Sequence, residues 1–194
     1  MGVPPSTVTA TFAHISKTTP LAMVERVGSG KTASAYMATT PGGHRRVVRV
    51  VVLPEGFAEG EYRDISRTVV GLHEYIHTLM PTRTPKLHSA HLIPSKRGTR
   101  TLAMAYVMSW IGGDVLGGKP LSDRKAADLR TLLRQLWSNR ISHGDLFHGN
   151  LLYSDQHRRW MLIDLDNLRM HRSSQEARNR DMGMMDPLLK DLLR

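Results

Sequence analysis

The chain has 194 residues, no cysteine, 40% hydrophobic and 23% charged residues, and a formal net charge of +10. These values exclude a disulfide framework, thiolate metal sites and a disordered polymer, and no apolar run approaches the roughly 20 residues needed to cross a bilayer. The basic excess suits phosphorylated or polyanionic ligands, or simply a basic surface, but no Lys/Arg block or zinc-finger spacing singles out nucleic acid, and no specific nucleic-acid partner is expected.

Residues 1–22 are rich in Ser, Thr, Pro and Ala, and the first acidic residue is Glu25. They lack the apolar centre of a secretory signal peptide, so composition predicts a disordered tail that could also serve as an export signal. Residues 25–53 predict a β-meander, VERVGSG, ASAYMATT and RRVVRVVVL, with Gly42 and Gly43 turning the chain before its last strand. Residues 64–80 predict a helix, with Ile65, Val69, Leu72, Ile76 and Leu79 near helical spacing and Pro81 as its stop. Residues 86–94 and 101–110 predict two further strands, and the glycine-rich residues 111–118 a loop.

The clearest helix spans 122–139, capped by Ser122, with Ala126, Leu129, Leu132, Leu133, Leu136 and Trp137 on one face. Residues 143–153 form a polar loop entering a short strand, residues 160–163 another strand, and residues 173–194 a closing basic helix. The order predicts an α+β chain in two lobes, with residues 23–107 in the first and 108–194 in the second.

The chemistry concentrates in HGDLFHGNLL (143–152) and LIDLDNL (162–168). Phosphoryl transfer needs a carboxylate to orient the accepting hydroxyl, hard oxygen donors for magnesium, and a cation against the developing charge. Asp145 offers the first. Asn150 and Asp164 offer the second, because magnesium keeps much of its water and one amide plus one carboxylate can suffice. Taken singly, each could equally be a turn or cap residue; their order beside a strand and a loop is what carries the reading. The ten histidines are scattered, and no metal spacing surrounds His148. His143 reads as structuring the loop.

The segment VGSGKTASAY (27–36) can cover phosphates with the backbone of Gly28, Ser29 and Gly30, with Lys31 nearby. No glycine precedes Gly30 at P-loop spacing, with Glu25 and Arg26 in that region, and a strand rather than a helix follows, so it is not a P-loop.

Together these segments resemble the protein-kinase fold. The likeness implies Asp145 as catalytic base, Asn150 and Asp164 as magnesium ligands, and Gly28 to Lys31 as a glycine-rich loop over ATP, although Ala33 replaces its third glycine. Arg49, in VVRVVV, occupies the place of the usual strand lysine, with Lys31 as the alternative. Its carboxylate partner would be Glu74, or else Glu61. LAMAYVMSWIGG resembles a hinge strand, which would put Met104, Tyr106 and Val107 beside the adenine.

The HGD and IDLD forms resemble aminoglycoside and choline phosphotransferases and lipopolysaccharide sugar kinases. The short run after Asp164 leaves no room for an activation segment and resembles secreted bacterial effector kinases of the HopBF type. That resemblance implies a minimal kinase with a reduced C-lobe. It would be a monomer that uses ATP and Mg2+ to phosphorylate Ser or Thr of a host protein, a heat-shock chaperone being the expected partner, in the host cytoplasm. The alternatives are a lipopolysaccharide-sugar or other small-molecule kinase in the bacterial cytoplasm, and a pseudokinase binding module.

Overall fold

The computed structural model describes residues 3–30, 33–53, 59–95, 101–117 and 120–193. The chain divides into two compact units, Met1–Glu74 with Lys86–Trp110, and Tyr75–Pro85 with Ile111–Arg194. The expected boundaries at 23 and 107 therefore shift. The N-terminal segment belongs to the first unit, and the residues just before the fourth strand belong to the second.

In the first unit, helix α1 (Pro5–Ile15) precedes strands β1 (Ala22–Ser29), β2 (Ala33–Thr39) and β3 (Arg45–Val52). Helix α2 (Glu59–Leu79) follows, then β4 (Leu87–Pro94) and β5 (Thr101–Ser109). The strands form one antiparallel sheet in the order β1-β2-β3-β5-β4. One face packs Tyr36, Ala38, Val48, Val50, Ala103, Ala105 and Val107 with Val8 and Ile15 of α1. The other packs Met104, Tyr106 and Met108 with Val69 and Val70 of α2. Because β5 is central and covered on both sides, its sequence is a nearly unbroken apolar run instead of an alternation.

Helix α1 corrects the expectation of a disordered tail over residues 1–22. Pro5 stands in its first turn, where a missing N–H costs nothing. Val8, Thr11 and Ile15 form its buried stripe. Thr11 can be fully buried because its hydroxyl donates to the Thr7 carbonyl at 2.8 Å. The Phe12 ring meets Tyr36 edge-on at 6.0 Å. The Ser/Thr-rich composition concealed this stripe.

In the second unit, β6 (Asp114–Val115) is followed by α3 (Asp123–Ser138), β7 (Ile141–Ser142), β8 (Leu151–Ser154) and β9 (Arg159–Leu162). β10 (Arg169–Met170), α4 (Ser174–Met184) and α5 (Pro187–Leu192) complete it. The strands make a β6-β8-β9 sheet and a β7-β10 pair. Helix α3 starts on Ser122, whose hydroxyl accepts from Lys125 N–H, and buries Leu129, Leu132, Leu133, Leu136 and Trp137. The single closing helix expected over residues 173–194 is two, divided at Met185 and Asp186; Asp186 caps α5 by accepting from Leu189 N–H at 2.8 Å.

An ion pair fastens this unit. The Arg83 guanidinium grips both oxygens of Asp128 at 2.7 and 2.8 Å, and Trp160 N–H adds a third bond to the same carboxylate at 2.7 Å. Partial burial alone would raise the Asp128 pKa, but the bonds from Arg83 and Trp160 outweigh it and hold the carboxyl below its ordinary value.

Candidate active site

The second unit brings Asp145, Asn150 and Asp164 together. β8 and β9 pair from Leu151↔Leu162 to Ser154↔Arg159. The next step of that hairpin carries Asn150 and Ile163, joined by an Ile163 N–H to Asn150 carbonyl bond of 3.0 Å. Asn150 and Asp164 therefore stand at the mouth of one rigid hairpin. Asn150 folds back so that its amide nitrogen donates to the Asp145 carbonyl at 2.8 Å and lies 3.4 Å from the Asp145 carboxylate. That orientation turns Oδ1 the other way, and Oδ1 accepts no hydrogen bond among the described residues.

The chain reaches Asp145 along a tightly held path. Gly144 has φ +77°, and a Cβ there would lie 2.3 Å from the Asn167 carbonyl oxygen, so only glycine fits. Asp164 itself is left-handed, with φ 60° and ψ 61°. His143 is fully buried. Its Nε2 lies 2.9 Å from the Ile163 carbonyl and must carry the proton to donate to it. Its Nδ1 is buried with no hydrogen-bond partner among the described residues. The Nε2 bond ties the loop to the strand bearing Asp164.

Two residues that the sequence reading did not single out support this loop. Asp181 of α4 is fully buried and accepts from His143 N–H, from Gly144 N–H, both at 3.0 Å, and from the Trp137 indole at 2.8 Å. Asp186 accepts from the backbone of His148 at 2.9 Å and lies 3.0 Å from its ring Nδ1. Its partial burial would raise its pKa, but the N–H groups of Leu189 and His148, with the His148 ring, hold it below the ordinary value. Both contacts span nearly 40 positions of sequence, so no local pattern marks them. Residues 173–194 hold four acids and four cations, so composition does not single out Asp181 or Asp186 either.

The first unit holds the residues expected at the nucleotide. Gly28 and Ser29 lie in the ladder opposite Ala35 and Ser34, and Gly30 N–H closes the hairpin on the Ala33 carbonyl at 2.7 Å. Neither Gly28 nor Gly30 has a positive φ, so the turn does not require them. Both lie exposed, with no side chain at either position. Lys31 lies outside the described residues.

Arg49 pairs in register with Ala35 and Tyr106, on the sheet face that packs against α2. Glu74 and Glu61 are both exposed on α2. On α2, His73 is buried and stacks on Tyr106 at 6.0 Å.

Met104, Tyr106 and Val107 need a correction. β5 is laddered to both β3 and β4 across these positions, so their backbone groups are already bonded and cannot pair with an adenine. Val107 also packs on the opposite face from Met104 and Tyr106. Backbone capable of such pairing begins beyond Ser109, whose N–H still bonds the Lys86 carbonyl at 2.9 Å.

Compared with solved structures, the chain is similar to the PK-1 kinase of the Cydia pomonella granulovirus, with a TM-score of 0.53 and 21% identity over 86% of this chain. The fold is protein-kinase-like. The chain spans 60% of that viral kinase. No protein-family description and no curated protein matches the sequence. Within the kinase-like fold, the 143–164 segment forms a loop and a hairpin mouth that carry Asp145, Asn150 and Asp164.

Proposed function

We propose that the chain is an ATP- and Mg2+-dependent phosphotransferase acting on serine or threonine hydroxyls of a protein. The observation that carries this reading is the convergence of Asp145, Asn150 and Asp164, with the loop backbone held by buried Asp181. Asp145, half-buried at the loop tip, orients the accepting hydroxyl and takes its proton as the oxygen attacks. Asn150 Oδ1 and the Asp164 carboxylate are hard oxygen donors that fit magnesium, the amide oxygen being turned out by its own amide's bond to Asp145. Magnesium there would neutralise charge on the phosphates during transfer. In the first unit, taken by itself, Arg49 with Glu74 as its partner and the exposed end of the β1–β2 hairpin at Gly28 to Gly30 are the phosphate-binding groups that the kinase resemblance implies.

The sequence resemblance to effector kinases supports a host protein as acceptor and delivery into the host cytoplasm. Since residues 5–15 fold as α1, an export system would have to read them before that helix forms. A second reading, a sugar or other small-molecule kinase, is favoured by Gly144 in the HGD form of the loop.

One assay separates the two. Purified protein receives labelled ATP and Mg2+ in parallel with a eukaryotic lysate, lipopolysaccharide and aminoglycosides. We expect label on protein, recovered as phosphoserine or phosphothreonine. Label only on carbohydrate would replace the first reading with the second.

A further inference from the structure

Helices α3, α4 and α5 bound a groove of about 500 Å³ on the second unit. Four cations line it: Arg130 and Arg134 from α3, Arg178 from α4 and Lys190 from α5. None of the four side chains makes an ion pair or hydrogen bond among the described residues. The lining holds four cations and no carboxylate, so like charges gather there at a cost in repulsion. Trp137 and Met182 give the groove an apolar floor, and the Arg178 guanidinium lies over the Trp137 ring at 5.9 Å.

We propose that this groove docks an acidic peptide segment of a protein partner. Spacing, shape and charge each favour that occupant. Arg130 and Arg134 are one helical turn apart, about 6 Å along the axis. Alternate side chains of an extended peptide repeat at about 6.7 Å, so carboxylates two residues apart meet both guanidiniums. An apolar side chain on that same face, two residues beyond a carboxylate, can rest on the Trp137 and Met182 floor.

A nucleic acid fits less well. Trp137 is 8% exposed with its face under Arg178, so it offers no open ring for base stacking, and the cations ring a short groove instead of tracking a long backbone. The floor is also tied to the loop described above, since the Trp137 indole bonds Asp181, which holds His143 and Gly144. A docked segment therefore bears on a support of that loop.

The test is fluorescence anisotropy on the full chain with a labelled peptide that carries two glutamates two residues apart and a leucine two residues further, all on one face when extended. Competitors are the lysine counterpart, a single-stranded oligonucleotide and phosphatidylserine vesicles. Binding should weaken at least about tenfold in the Arg130→Glu/Arg134→Glu double variant, from two lost and inverted exposed charge contacts. It should also weaken in Lys190→Glu, which alters a different helix and guards against a folding defect in the first. Circular dichroism and melting temperature should match wild type. Equal binding by the double variant and Lys190→Glu, equal binding of the lysine peptide, or preferential displacement by oligonucleotide or vesicles would overturn the proposal. No outcome depends on catalysis, so the result stands apart from the phosphotransferase reading.

Discussion

The residues that carry the candidate chemistry are few, and their environments differ from what spacing alone suggests. Asp145, Asn150 and Asp164 were legible because their order along the chain is itself the signal. Asp181 was not, because a buried acid becomes a loop support only when α4 returns it to residues 143 and 144. Arg83 and Asp128 were silent for the same reason, being 45 positions apart. The Asp128 carboxylate has a depressed pKa in the folded chain. Its contribution to stability is therefore fully present above the ordinary carboxylate range and is lost as pH falls through the depressed value. At neutral pH, Asp128→Asn should cost roughly 2–4 kcal/mol, toward the low side of a broken buried pair because Asp128 remains 22% exposed. Denaturant midpoints measured against pH should show the gap from wild type narrowing under acid. A gap of constant size down to low pH would assign the effect to packing.

At the scale of elements, α3 and the β-meander follow from the sequence, since Leu spacing, a Ser cap and a Gly-Gly turn each act locally. Helix α1 escapes composition, and β5, expected as a strand, has a backbone that does not fit its expected place beside the adenine. In α1 a threonine occupies an apolar position and satisfies its hydroxyl inside the helix, so composition reads as tail. In β5 the apolar run resembles a strand beside a nucleotide, yet only pairing on both edges shows that its backbone is committed. If α1 is part of the first unit's core, Ile15→Ala should lower stability by about 2–5 kcal/mol at an unchanged denaturant slope. Ile15 is fully buried, so a cost under about 0.5 kcal/mol would mean that α1 is only loosely attached.

On the scale of the whole molecule, composition indicated what the chain lacks more clearly than what it does. Among the described residues no helix is long and apolar enough to cross a membrane. The cations behind the +10 charge form no block in the sequence, yet folding gathers four of them around one groove. Contact between helices distant in sequence made that concentration invisible beforehand. The kinase-like fold, by contrast, was legible from one contiguous segment and is matched by a solved kinase at 21% identity. The account rests most heavily on Asp145. Transfer from labelled ATP should be measured for wild type and Asp145→Ala side by side, with melting temperatures recorded. We expect the rate to fall about 10²–10⁴-fold at an unchanged melting temperature, the loss typical of a removed general base. A folded Asp145→Ala protein that transfers phosphate at the wild-type rate would contradict the account.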